Sequence, residues 1–296
     1  MRTYSLSTAA FRKADPEPSL DVIASVGFQC IELSGYGSNL NQWNFGGADD
    51  LPSPPTGRAA TQMRRAIESR GLRVTTLHGP PRLNVLGAPT ESWRTASMKV
   101  LGEHLRFAAD VGAAGMVIHG IPNPEFLPKE QTIAELTPKM VDAMRQSVQD
   151  LIPVAEQSGA RLLLENLPYT VDLNEPYPLM AMHQLRPFVD QFPPEQVGLI
   201  VDTGHAWTNG DEPESEILVA GDRLWGTHLQ DVPRENPHDN HWVPTTGELD
   251  WPAICAALDR IGYQGAWTFE AIHGRDGETA QELARKCFET ATSWGK

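Results

Sequence analysis

Apolar residues along the chain follow two alternating patterns: short continuous runs, and longer stretches in which they recur with the helical period. The runs predict strands at Arg2–Thr8, Cys30–Ser34, Arg73–His78, Gly115–His119, Arg161–Glu165, Val197–Asp202, Leu224–His228 and Gly265–Glu270. Two of them, GMVIH and RLLLE, are almost wholly apolar, as expected of parallel strands covered on both faces. Between the runs, Trp251, Ile254, Cys255, Leu258 and Ile261 trace one helix face, and Ala280, Leu283, Ala284, Cys287 and Phe288 another. Eight such βα units predict an α/β protein, a single (β/α)8 TIM barrel.

The connections carry a second signal. Returns from helix to strand are short and contain Gly27, Gly71, Gly112, Gly159 and Gly262, which fit helix C-caps. Connections leaving the strands are long and rich in Pro, Asn and aromatics, notably Gly35–Gly57, Asn166–Pro178 and Asp231–Asp250. A barrel puts all of these at the C-terminal ends of its strands, where barrel enzymes do their chemistry. A doubly wound open sheet, the competing fold, does not account for such one-sided elaboration. No domain boundary, repeat or low-complexity tract interrupts the 296 residues, so residues 1–296 are expected to form one domain.

Six predicted strands end on a side chain able to bind metal: His78 (VTTLH), His119 (GMVIH), Glu165 (LLLE), Asp202 (LIVD), His228 (WGTH) and Glu270 (WTFE). Each interrupts an apolar run where the strand should leave the barrel. A carboxylate there is costly to bury without a partner. Several converging at one mouth repel unless a cation neutralises them. Taken singly, His78 reads equally as a core histidine and Asp202 as a helix N-cap; independent caps do not explain why ligand types recur at six strand ends.

Further candidates follow these. VDTGHA puts His205 one turn after Asp202, beside a substrate or a second metal. In HLQDVPR, Asp231 is either a carboxylate orienting the His228 ring or a plain loop acid, and Arg234 either holds a substrate oxygen or is solvated. Asp239 and His241, two apart in DNHWVPTTGELDW, either chelate from an extended loop or mark a surface turn. Trp43, Phe45, Tyr169, Tyr177 and Trp242 lie in the long loops, where they stack on sugar faces, pack the loops together or join copies in a homo-oligomer. His104 and His183 fall within helical patterns and are assigned no chemistry.

Composition narrows the partners. A net charge of −14 works against phosphate backbones and favours a small soluble ligand, so nucleic acid is not the expected partner. Cys30, Cys255 and Cys287 form no CxxC pair and read as reduced thiols. No run reaches the ~18 apolar residues of a membrane span, and the N-terminus lacks the apolar stretch of a secretory signal. A cytoplasmic protein is the expectation. There is no P-loop phosphate cradle.

At LLLEN, VDTGHA, HLQD, the DxH…GELDW stretch and the final FE, the chain resembles the xylose isomerase-like barrel superfamily, the sugar phosphate isomerase/epimerase group, over nearly its whole length. The resemblance implies that Glu165, Asp202, His228 and Glu270 are metal ligands and that Glu165 and Glu270 also act as acid and base. It implies that His205 and Arg234 contact substrate, with His78 and His119 facing the same space. The implied activity is divalent metal-dependent isomerisation or epimerisation of a ketose or keto-polyol, by proton removal α to a metal-bound carbonyl through an enediolate. The mostly oxygen donor set suits Mn2+ first, then Mg2+, Co2+ or Zn2+.

Three alternatives stay open. Inosose and dehydroshikimate dehydratases of the superfamily imply a lyase acting on a keto-sugar, keto-glycoside or inosose, in which the same enediolate expels a leaving group. The endonuclease IV branch implies a zinc phosphodiesterase with three zincs, its further ligands matching His78, His119, His205, Asp239 and His241; LENLPYTVDLNEPYP and DNHWVPTTGELDW depart from that branch's small and basic residues. A barrel that binds metal and ligand without turnover is the last.

Overall fold

A computed structural model of the protein describes residues 2–11, 14–34, 54–80, 83–169 and 177–295. Parallel strands β1 (Thr3–Ser7), β2 (Cys30–Ser34), β3 (Arg73–His78), β4 (Gly115–His119), β5 (Arg161–Glu165), β6 (Val197–Asp202), β7 (Leu224–Leu229) and β8 (Ala266–Phe269) form a closed barrel in chain order. Closure comes from β1 pairing with β8, Leu6 opposite Phe269. Outside lie α1 (Pro16–Val26), α2 (Gly57–Glu68), α3 (Glu91–Asp110), α4 (Ile133–Ser158), α5 (Met182–Val189), α6 (Thr203–Thr208), α7 (Pro213–Ala220), α8 (Trp251–Arg260) and α9 (Ala280–Trp294). The eight predicted strands are present, with small differences at their ends: Arg2, Thr8, Gly265 and Glu270 fall outside them and β7 runs on to Leu229.

Local chemistry sets the helix ends. Thr132 with Glu135, and Thr279 with Glu282, form reciprocal capping boxes at α4 and α9. At the other ends, Gly159 takes φ 75° after α4 and Gly112 takes 85° after α3, a left-handed backbone that a Cβ would strain. Of the long loops, residues 35–53, with Trp43 and Phe45, and residues 170–176 lie outside the described residues.

Strand alternation divides the core and aims the chemistry. Met116, Ile118, Leu162, Leu164, Leu199 and Val201 join the main core between sheet and helices. Their neighbours Val117, Leu163 and Ile200 face inward and form a separate small apolar cluster. Two residues further on, the same inward face carries His119, Glu165 and Asp202. By the same parity, Ile31 and Leu33 go to the main core and turn Glu32 inward, Leu229 turns His228 inward, and Trp267 and Phe269 turn Thr268 and then Glu270 inward. Register brings neighbours level: His119 opposite Glu165, and Asp202 opposite His228.

Candidate metal centre

Glu165, Asp202, His228 and Glu270 each offer a ligand atom within 4.8 Å of the others. All are buried, none more than 3% exposed. His228 Nδ1 lies 2.8 Å from Glu165 Oε1 and 3.1 Å from Glu270 Oε2. Its Nε2 faces the other way, 3.1 and 3.0 Å from the two oxygens of Glu32. Asn166 clamps the Asp202 backbone, accepting its N–H at 2.7 Å and donating to its carbonyl at 2.9 Å. Asp202 Oδ1 accepts the His205 N–H at 2.7 Å, so this residue caps α6 while also joining the cluster. Gln230 Nε2 donates to both Asp202 oxygens at 3.1 Å.

The electrostatics of this cluster call for a cation. Burial pushes the Glu270 carboxyl up to about 8, with Glu165 and Glu32 adding repulsion against the pull of His228 and His241. Burial also raises Glu165, but the His228, His119 and His205 rings outweigh it and hold this carboxyl well below the usual range. Burial alone would lower His228; Glu270, Glu32 and Glu165 raise it well above its ordinary value instead. Four buried acids, Glu32, Glu165, Asp202 and Glu270, thus surround one imidazole. Among the described residues, buried Glu165 Oε2 has no hydrogen bond; the nearest imidazole nitrogens are those of His119 at 3.4 Å and His78 at 3.9 Å. Three carboxylates, one imidazole and a buried carboxylate oxygen without a hydrogen bond fit a divalent ion.

Five more ligand-competent side chains adjoin the four. His78 and His119 group with Glu165, and His205, Asp239 and His241 form a triad, each group again within 4.8 Å. Asp239 Oδ1 lies 3.1 Å from His205 Nε2 and 2.9 Å from His241 Nε2. Three of these rings are fixed from behind. Nδ1 of His78, His205 and His241 sits 2.8, 2.8 and 2.9 Å from the carbonyl oxygens of Gly79, Asn166 and Glu270. A carbonyl only accepts, so Nδ1 carries the proton and Nε2 is directed at the carboxylates, the arrangement by which backbone orients metal-binding histidines. His241 also adopts φ 50°, strained for a residue with a Cβ. Gln230 Oε1 accepts its N–H, and its carbonyl accepts the N–H groups of Ile272 and His273, which hold it there.

The cluster opens into a cavity of about 270 Å3, near the small end of ligand pockets. His78, His119, Glu165, His205, Asp239, His241 and Glu270 line it together with Ile272 and His273; neither lysine nor arginine does among the described residues. A larger cavity of about 520 Å3 opens at the opposite, N-terminal end of the barrel, lined by Arg73, Arg161 and Trp225, and contains none of these ligand types from the strand ends.

Several residues fall on one side of the alternatives left open by the sequence. Asp231 does not orient His228: its carboxylate accepts from Trp251 Nε1 and from the backbone of Val232, Thr245 and Leu249. It holds the β7–α8 loop. Arg234 is exposed, its guanidinium 5.5 Å from the centre of the Trp207 ring, and does not line the cavity. Tyr177 donates its hydroxyl to the Pro122 carbonyl, Tyr169 packs against Tyr177, and Trp242 lies under Arg275, so these aromatics pack the loops. Histidine 183 is exposed on α5, beside Asp211 and Glu216. Sequence reasoning overlooked Glu32 and Gln230. A glutamate inside the apolar run CIEL was the available signal for Glu32; nothing local marks Gln230.

The family model for xylose isomerase-like TIM barrels matches residues 20–290. The chain belongs to this family. It is 26% identical over 275 residues to a D-psicose 3-epimerase of Enterocloster bolteae, covering 91% of this chain and 81% of that one. A D-psicose 3-epimerase of Ruminiclostridium cellulolyticum is 24% identical, with 92% and 83% covered. Among solved structures, a D-tagatose 3-epimerase-like protein superposes with a TM-score of 0.77 at 16% identity, over 99% of this chain and 96% of that one. The 3-keto-D-glucoside 4-epimerase of E. coli does so with a TM-score of 0.74 at 19% identity, over 99% and 100%. At such identities the structural likeness is one of fold. Among the described residues, no helix of this xylose isomerase-like barrel is long and apolar enough to cross a membrane.

Proposed function

We propose that this xylose isomerase-like barrel is a divalent metal-dependent isomerase or epimerase acting on a ketose or a keto-sugar derivative. The observation that carries this reading is the buried quartet Glu165, Asp202, His228 and Glu270 beside a strand-end cavity lined mostly by ligand types. These four side chains would hold the ion, with Mn2+ best matched to the oxygen-rich set and Mg2+, Co2+ or Zn2+ as substitutes. Bound there, a divalent ion supplies Lewis-acid polarisation of a sugar carbonyl and its adjacent oxygen.

The chain's own groups then move the proton. Glu165 on β5 and Glu270 after β8 are carried by strands three apart around the barrel. One takes the proton α to the carbonyl and the other delivers a proton to the opposite face or to the next carbon, leaving an enediolate between the two steps. Positioned acid–base groups of this kind contribute ~10²–10⁴-fold. His78, His119 and His205 line the cavity, which supports a role for them in meeting sugar hydroxyls. The epimerase relatives support the reaction class, and suggest D-psicose, D-tagatose and 3-keto-D-glucosides as first substrates to try.

The test is isotope exchange. Metal-loaded protein incubated with these sugars in D2O should place deuterium on the carbon next to the carbonyl, and Glu165→Gln or Glu270→Gln should abolish it. A product with new ultraviolet absorption would move the reading to elimination, and no exchange across the panel would refute it.

A second reading has one observation in its favour. Nine ligand-competent residues fall into three adjoining groups, two of which share Glu165, the number and kind of donors that a three-zinc phosphodiesterase requires. The net charge of −14 and a cavity that no lysine or arginine lines among the described residues oppose a nucleic-acid substrate. Metal counting separates the two: three zincs per chain with nicking of abasic duplexes supports hydrolysis, and one ion per chain excludes it.

A further inference from the structure

Glu32 is a carboxylate with no exposure, in the middle of a barrel strand, and neither the quartet nor the proton steps use it. Such a group persists only when something buried needs it. Its two oxygens lie 3.1 and 3.0 Å from His228 Nε2, and Oε2 also accepts the Thr76 hydroxyl at 2.8 Å. The bond with Thr76 follows from register, since Glu32 and Thr76 stand opposite one another where the β2–β3 pairing shifts. The other ring nitrogen, Nδ1, faces Glu165 and Glu270 at 2.8 and 3.1 Å. The imidazole is therefore gripped on its far edge by a carboxylate while its near edge points into the quartet.

We propose that Glu32 is a positioning residue that fixes His228 in the Nε2–H tautomer, so that Nδ1 presents its lone pair to a cation held by Glu165, Asp202 and Glu270. This rests on the quartet being a cation site. His228 differs in this from His78, His205 and His241, whose Nδ1 protons go to backbone carbonyls. A carbonyl orients a ring, whereas a carboxylate also makes it a stronger donor, so the one imidazole of the quartet receives the stronger support. Thr76 sets the rotation of the Glu32 carboxylate.

Two measurements test this. Co2+ binding, followed by calorimetry and by the visible d–d absorption of the ion, should weaken about 10–100-fold in Glu32→Gln, the usual cost of removing such a supporting group. The d–d band should shift, while Thr76→Val, which leaves the imidazole contact in place, should change affinity only a few-fold. Glu32→Asp should recover part of the loss. Wild-type Co2+ affinity and spectrum in a folded Glu32→Gln protein would overturn the role. Independently of any variant, 15N-histidine NMR of the Zn2+-loaded wild-type protein should show His228 protonated at Nε2 and not at Nδ1; the reverse pattern would overturn it even if Glu32→Gln fails to fold. If the wild-type protein binds neither Co2+ nor Zn2+, it is the reading of the quartet that fails.

Discussion

Asp231 offers a sharp test of how the site is held. Its carboxylate accepts four hydrogen bonds: from Trp251 Nε1 at 2.7 Å and from the N–H groups of Val232 at 2.9 Å, Thr245 at 2.9 Å and Leu249 at 3.2 Å. Asp231→Ala removes all four acceptors. Thr245 is exposed and its N–H regains water, but Val232, Leu249 and Trp251 are buried. Three orphaned buried donors at ~1–3 kcal/mol each, reduced by partial water entry, give an expected loss of about 3–5 kcal/mol. The loss is concentrated in residues 231–251, the loop that carries Asp239 and His241 into the site. Urea unfolding reads the global part; amide hydrogen exchange at Val232, Thr245 and Leu249, with Trp251 fluorescence, reads local release. Asp231→Asn should fall between wild type and alanine, because its amide nitrogen cannot accept. A loss under about 1 kcal/mol with unchanged exchange at those amides would refute the assignment of Asp231 as the fastener of this loop.

Other expectations are shorter. A Cβ on Gly204 would lie 2.5 Å from Gln230 Cδ, so Gly204→Ala should displace Gln230 from Asp202, cost ~1–3 kcal/mol in urea unfolding and weaken Mn2+ binding seen by calorimetry. Mn2+ at one hundred times its dissociation constant should stabilise the protein by about 2.7 kcal/mol over protein kept in chelator, a gain absent in Glu165→Gln. Burial pushes the His104 ring from an ordinary 6.5 down to about 4. The unfolded chain therefore binds the extra proton between those values, so the stability tied to a neutral His104 is present above pH 6.5 and is lost as pH falls toward 4. It amounts to about 3 kcal/mol at most, and His104→Gln should flatten that part of the pH–stability curve.

What could be read in the sequence was whatever depends on local pattern. Apolar runs marked the strands because a parallel barrel strand is covered on both faces, and the glycines after helices marked their ends because only a left-handed residue turns the chain back there. The strand-end positions of Glu165, Asp202, His228 and Glu270 were legible for the same reason, each breaking an apolar run at a predictable place. The N-cap and cluster readings of Asp202 looked like alternatives, yet one carboxylate has enough lone pairs for both.

The remainder lay beyond the sequence because it depends on which strand stands across from which. Glu32 and His228 are 196 positions apart, and only closure of the barrel, with the shifted pairing of β2 and β3, brings them edge to edge. Asp231 and Arg234 follow the β7 histidine so closely that proximity in sequence suggested roles at the site, but the β7–α8 loop folds Asp231 back onto Trp251 and leaves Arg234 exposed. The sequence by itself determined the strands, their order and the donor types at their ends, since these follow from backbone alternation and burial. Tertiary structure alone decided which nitrogen of each histidine faces the carboxylates and which acids support the site from behind, because hydrogen bonds between distant segments have no signature in local spacing.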